Sequence, residues 1–177
     1  MEKALRRLVA SKEYVCIHLD PADEKFTFGK IIGNDEKRFV ALIVTPDGSD
    51  DGILVAKIQE IQFIERDGQY QKKMERLMNI CGYKERKPEI TGELLQWGLS
   101  YAIENRFVVA MEIADSKRYD ITGIIESVDD GICRVRQIDS YGESDGEALA
   151  RVDDISQLCI DSEDERIRMS LFESEKV

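Results

Sequence analysis

The residues best suited to chemistry in this chain are paired carboxylates, Asp129-Asp130 and Asp153-Asp154. Adjacent carboxylates serve acid–base catalysis when a pocket raises the pKa of one of them, so that one group holds a proton while the other accepts one. Here each pair carries turn or corner signals: Asp130 precedes Gly131, and Asp153-Asp154 lies between Val152 and Ile155 as at a sharp strand-to-strand corner. Solvated turns are therefore expected in place of a catalytic dyad. Asp50-Asp51-Gly52 and Ser144-Asp145-Gly146 recur at equivalent places, and Asp139, Tyr141, Glu143 and Asp145 put oxygen donors at alternate positions, as a calcium loop does. The bidentate glutamate that such a loop needs is missing at the required spacing, and a glycine–aspartate turn explains the same residues. No catalytic residue, metal ligand or cofactor is assigned.

The one histidine, His18, has no serine or cysteine nucleophile motif beside it and reads as a partly exposed structural residue. Of the four cysteines, Cys16 and Cys133 fall in apolar strand-like segments and are expected as buried thiols; with Cys81 and Cys159 they form no CxxC pair. Two binding features remain. Lys72, Lys73, Arg76, Lys84, Arg86 and Lys87, with Tyr70 and Tyr83 nearby, combine cations for phosphates with rings for base stacking, although Glu75 and Glu85 interrupt them. Trp97, beside Leu94 and Tyr101 on a helix, is expected to be packed at the interface of the two domains, with an exposed partner-binding anchor as the alternative.

The elements that position these residues follow one plan twice. Val15, Ile31-Ile32, Asp51-Gly52, Ile61 and Leu77 recur 93 to 94 residues later as Val108, Ile124-Ile125, Asp145-Gly146, Ile155 and Leu171. A repeat at that period predicts two small domains: residues 1–83, a linker at 84–89, and residues 90–177. In the first, Leu5, Leu8 and Val9 have helical spacing, strand-like runs follow at 14–20, 26–32, 39–45, 53–57 and 60–64, and a helix spans 69–80. Asp20-Pro-Ala-Asp23 reads as the first turn. In the second, Thr91 is the expected N-cap of a helix running to about Asn105, strands follow at 107–113, 119–127, 132–138, 147–152 and 155–160, and Ser162-Glu-Asp-Glu165 has the form of a capping box. It opens a helix with Ile167, Leu171 and Phe172 on the expected buried side.

Charge divides unevenly. Residues 1–88 hold 16 Lys+Arg and 15 Asp+Glu, whereas residues 89–177 hold 9 and 21, out of a whole-chain net of −11. Attraction to a polyanion is weak overall, and the second half repels one. No apolar run is long enough to cross a bilayer and no signal peptide is evident, so no membrane partner and a cytoplasmic location are expected.

A helix followed by five short strands, with Thr122-Gly-Ile-Ile-Glu-Ser-Val-Asp-Asp-Gly-Ile-Cys-Arg-Val and its counterpart Phe28-Gly-Lys-Ile-Ile-Gly-Asn-Asp-Glu, resembles the small barrel of Sm-like and SH3-like domains. The Asp and Asn that hold a base in Sm proteins have no match at Asn34-Asp-Glu-Lys or Val128-Asp-Asp-Gly, and the lysine–histidine element of bacterial Sm-like proteins is absent. The tandem arrangement also resembles uncharacterised two-repeat proteins of low-GC Gram-positive bacteria. The resemblance implies an α+β fold of two tandem five-stranded antiparallel barrels, each flanked by short helices. The expected function is a non-catalytic interaction or scaffold module that binds an unidentified protein, with Trp97, Asp129, Asp130 and Asp145 as candidate contacts. RNA binding through the basic first half is the alternative, and a small-molecule or enzymatic domain a more distant one. Barrels of this kind also form homo-oligomers through edge strands, though a covalent tandem can satisfy one edge internally.

Overall fold

The computed structural model describes residues 1–19 and 26–174, so the expected turn at Asp20-Pro-Ala-Asp23 lies outside the described residues. The chain divides into two compact units, residues 1–94 and 95–177. No helix among the described residues is long and apolar enough to cross a membrane.

In the first unit, helix α1 (Glu2–Ser11) buries Leu5 and Leu8, and it ends where Lys12 turns left-handed (φ 58°) and donates its N–H to Leu8 O at 2.9 Å. Strands β1 (Tyr14–His18), β2 (Thr27–Asn34), β3 (Arg38–Val44) and β4 (Asp50–Lys57) follow. A 3-10 turn at Ile58–Glu60 leads into β5 (Phe63–Glu65), and helix α2 spans Gln69–Cys81. The second unit repeats the order: α3 (Leu94–Asn105, beginning at the last residue of the first unit), β6 (Val108–Ile113), β7 (Ile121–Asp129), β8 (Ile132–Ile138), β9 (Ser144–Arg151), a 3-10 turn at Val152–Asp154, β10 (Ile155–Ile160) and α4 (Glu163–Ser174).

The expected pair of closed barrels is not what forms. The ten strands belong to open antiparallel sheet, ordered β5-β1-β2-β3-β4 in the first unit and β10-β6-β7-β8-β9 in the second, and β4 does not bond to β5 nor β9 to β10. Closure requires strand tilt and stagger to agree around a full circuit. After β4 and after β9 a 3-10 turn instead carries the chain to the far side of the sheet, where β5, only three residues long, pairs with β1, and β10 pairs with β6. Turn signals and period-two patterning specify strands, and closure is a property of strand order that they do not encode.

One glycine in each unit makes the tight strand pairing possible. A Cβ on Gly29 would lie 2.2 Å from Leu42 O on β3, and one on Gly123 would lie 2.0 Å from Arg136 O on β8. Neither site has room for a side chain. The register shifts that follow also match, between Ile31 and Gly33 on β2 and between Ile125 and Ser127 on β7.

Burial differs between the units. All seven residues of β3 are buried, as are Gly52 to Ala56 of β4, so these strands are covered on both faces. On β8 only Cys133, Val135 and Ile138 are buried, and on β9 only Ala150. Strands covered on both faces read as continuous apolar runs, which is what Phe39-Val-Ala-Leu-Ile-Val provides.

Several expectations shift locally. Helix α3 starts three residues beyond Thr91, because Gly92 adopts φ 71°, a conformation incompatible with a first helical turn. Helix α4 does open on its capping box, with Ser162 N–H donating to Glu165 Oε2 at 3.2 Å. Of its expected buried residues, however, Phe172 alone is covered, while Ile167 and Leu171 are 53% and 40% exposed. Phe172 packs with Val108, Ile124 and Ile138, and that contact sets the helix phase.

Candidate functional site

The first unit carries a run of rings. His18 stacks on Phe63 at a centroid distance of 3.8 Å and leans on Phe26 at 5.4 Å; Phe26 meets Tyr70 edge-on at 4.9 Å. Phe28 touches Tyr70 and Tyr14 at 5.7 Å, and Tyr14 meets Tyr83 at 6.4 Å. Strand β1 supplies Tyr14, β2 supplies Phe28, Phe26 immediately precedes β2, and α2 supplies Tyr70. His18 is a structural member of this run, its Nε2 lying 3.0 Å from Glu65 Oε2. Phe63 is the exposed end, at 51%.

The basic cluster divides. Lys72, Lys73 and Arg76 share one exposed face of α2 by helical spacing, with Lys72 paired to Asp67 at 3.2 Å and Lys73 5.8 Å above the Tyr70 ring. Helix α2 ends at Gly82, and the chain then returns along its own unit. Tyr83 packs against the core cluster of Cys16, Phe28 and Met78. Glu85 accepts from Tyr14 Oη at 2.9 Å and pairs with Lys30, and Arg86 is bidentate to Asp50, its Nε 2.8 Å and 3.0 Å from the two carboxylate oxygens. Burial raises the Glu85 pKa, but the hydrogen bonds from Lys30 and Tyr14 outweigh it and leave the carboxyl below its ordinary value. The segment expected as a linker, 84–89, is thus strapped down at Glu85 and Arg86, leaving Lys84 and Lys87 as its exposed cations. An open groove of about 420 Å³ lies beside the strap, lined by Lys12, Tyr14, Met78, Asn79, Tyr83 and Glu85 among others.

In the second unit the acidic candidates do not converge. Asp129 and Asp130 form the β7–β8 turn, with Asp130 at φ 49°, whereas Asp145 lies at the start of β9, near the far end of β8. About six residues of strand, roughly 20 Å at 3.3 Å per residue, lie between them. Asp153-Asp154 occupies the 3-10 corner, where Asp154 O accepts Ala114 N–H at 2.7 Å. The hairpin turn lies earlier than the Asp-Gly pair suggested. Asp139 Oδ1 accepts the N–H groups of Tyr141 and Glu143 at 2.8 and 2.9 Å, and Gly146 (φ 79°) sits in a bulge that opposes Asp145-Gly146 to Gln137. Among the described residues no group of three or more His, Cys, Asp or Glu side chains is placed to hold a metal. Trp97 is 7% exposed and stacks on Tyr101 at 5.3 Å, so it is a packing residue of this fold.

The surface the sequence did not single out is the outward face of β8 and β9. Ile132 and Leu149 are 38% and 62% exposed there. Arg134 stands opposite Leu149, Arg136 opposite Glu147 and Ile132 opposite Arg151. Arg134 pairs with Glu147 at 3.3 Å and Arg136 with Glu126 at 2.6 Å. In the first unit the matching positions on β3 and β4 are Val40, Leu42, Ile53 and Val55, each no more than 1% exposed. The signal for this face was the single apolar residue in an otherwise charged alternation, Glu147-x-Leu149-x-Arg151.

Comparison with protein-family models, curated proteins and solved structures finds no match. The functional argument rests on the surfaces themselves.

Proposed function

We infer that the protein is a non-catalytic interaction module whose partner-contacting surface is the outward face of β8 and β9. The observation that carries this is Leu149, 62% exposed and flanked by ion pairs, on a strand whose counterpart β4 is buried in the first unit. An apolar centre in a charged rim is the anatomy of a protein contact, the apolar part supplying burial and the rim supplying register. The shared element order of the units and their matching glycines, Gly29 and Gly123, support descent from one module, with divergence confined to what the surface meets.

The test is capture of protein from native cells by the tagged chain, with Leu149→Asp alongside. A protein retained by the natural chain and lost with the variant, at unchanged thermal unfolding, supports this face. Equal retention by both overturns it. RNA binding by the first unit has one observation in its favour: the half-exposed Phe63 stacked on His18, on the same unit as the Lys72, Lys73 and Arg76 face. A raised 260/280 nm ratio that falls with Phe63→Ala would replace the protein-binding reading.

A further inference from the structure

We propose that β9 pairs with β9 of a second copy of this chain, joining two second units edge to edge about a two-fold axis. This rests on the reading of β8 and β9 as the contact surface and names its occupant. Strand β9 ends the order of its unit, bonded on one side to β8, so its other side presents backbone N–H and C=O groups without a strand partner among the described residues. Most edge strands carry charge as a guard against such pairing. Here the charge pattern is complementary to itself.

Antiparallel pairing of two copies centred on Leu149 sets Leu149 against Leu149, and Glu147 of each copy against Arg151 of the other. Two opposite-charge pairs and one apolar pair then share one face, at the separations over which cross-strand side chains interact. Arg151 makes no ion pair among the described residues, so it is available to a carboxylate from outside the chain. Glu147 already has Arg134 at 3.3 Å, and a second guanidinium would place it between two cations. The pairing stops where the strand does. Asp145 lies beyond the bulge at Gly146 (φ 79°), and Asp153 is in the 3-10 turn, so these like charges are not drawn together. The outward faces of the two copies also become continuous, with the two Leu149 side chains side by side and Arg134 of each copy next in the same row.

Two five-residue strand segments make a small interface, so sedimentation equilibrium of the full chain should span roughly 10 to 500 µM protein. At 0.15 M salt the screening length is about 8 Å, which damps the repulsion of two copies of net charge −11 and leaves contact pairs effective. The natural chain is expected to dimerise in this range. Glu147→Arg and Arg151→Glu each turn two attractions into two repulsions and should weaken the dimer about tenfold. An equimolar mixture of the two variants restores both pairs between unlike chains and should recover association, as should the double swap in one chain. Trp97 fluorescence on unfolding reports whether each variant is folded. A natural chain that stays monomeric throughout the range, or variants that associate as well as it does, or a mixture no better than its components, overturns the pairing. The two proposals separate, because capture scores foreign protein and sedimentation scores this chain alone.

Discussion

Gly123→Ala tests the packing argument most directly. The added Cβ would stand 2.0 Å from Arg136 O and 2.9 Å from Gln137 Cα, against an ordinary contact of 3.4 Å or more. Backbone is the obstacle, so no side chain can rotate away; β7 and β8 must separate by about 1.4 Å where Gly123 faces Gln137 and Ile124 faces Arg136. That is a large fraction of the 4.7–4.9 Å between neighbouring strands. Loss of two ladder hydrogen bonds at about 1 kcal/mol each, plus displacement of Ile124 and Val135 from the core, gives a destabilisation of about 3 kcal/mol. With an m-value of roughly 1.5 kcal/mol/M for a unit this size, the urea midpoint should fall by about 2 M. Trp97, the only tryptophan, lies on α3 in the second unit, so fluorescence excited at 295 nm reads the affected unit. Gly131→Ala is the control: φ is 75° and the Cβ meets nothing within 4 Å, so only left-handed strain of about 1 kcal/mol applies. A Gly123→Ala midpoint no lower than that of Gly131→Ala would refute the close-approach account.

Two further outcomes follow from the first unit's strap and from the cysteines. Glu85 has a folded-state pKa below its unfolded value, so its contribution is present above the ordinary carboxylate range and lost as pH falls through the depressed value; the stability gap between the natural chain and Glu85→Gln should shrink on going from pH 7 to about pH 3, and a gap independent of pH would remove the ion pair from the account. Burial pushes the Cys16 and Cys133 thiols up to about 11, so a disulfide reagent at neutral pH should label exposed Cys81 first and reach Cys16 and Cys133 only on unfolding; rapid labelling of all four would contradict the packing.

Local patterning carried much of the fold. Strands β8 and β10 occupy the residues expected of them because Ile132-Cys-Arg-Val-Arg alternates cleanly and Ile155–Ile160 is bounded by turn signals. Strand β4 begins at Asp50, three residues before the apolar run at Ile53, because a bulge absorbs Asp51-Gly52 and those residues imitate a turn. The strap at Glu85 and Arg86 was illegible for a different reason. A charged stretch ending in proline has the composition of a linker, and only the positions of Lys30 and Asp50, 55 and 36 residues away, turn it into a bound segment. Sheet closure was equally non-local. Of the candidate contacts, Asp129, Asp130 and Asp145 were placed on turns and strand ends as their types suggest, but their separation depends on the length of β8, which no residue type announces.

The contrast between β4 and β9 bears most on function. Ile53, Val55 and Lys57 in one unit stand where Glu147, Leu149 and Arg151 stand in the other, on strands of the same length that follow β3 and β8 within their own units. The first pattern suits a strand covered on both faces. The second keeps one buried residue, Ala150, and turns a face outward in which the middle residue is still apolar. Selection for solubility alone would replace Leu149, since an isolated exposed leucine on an edge strand adds a hazard and no stability. Its position between charges of opposite sign fits the proposed edge pairing, which makes Leu149, with Glu147 and Arg151, the residues whose substitution should separate binding from folding.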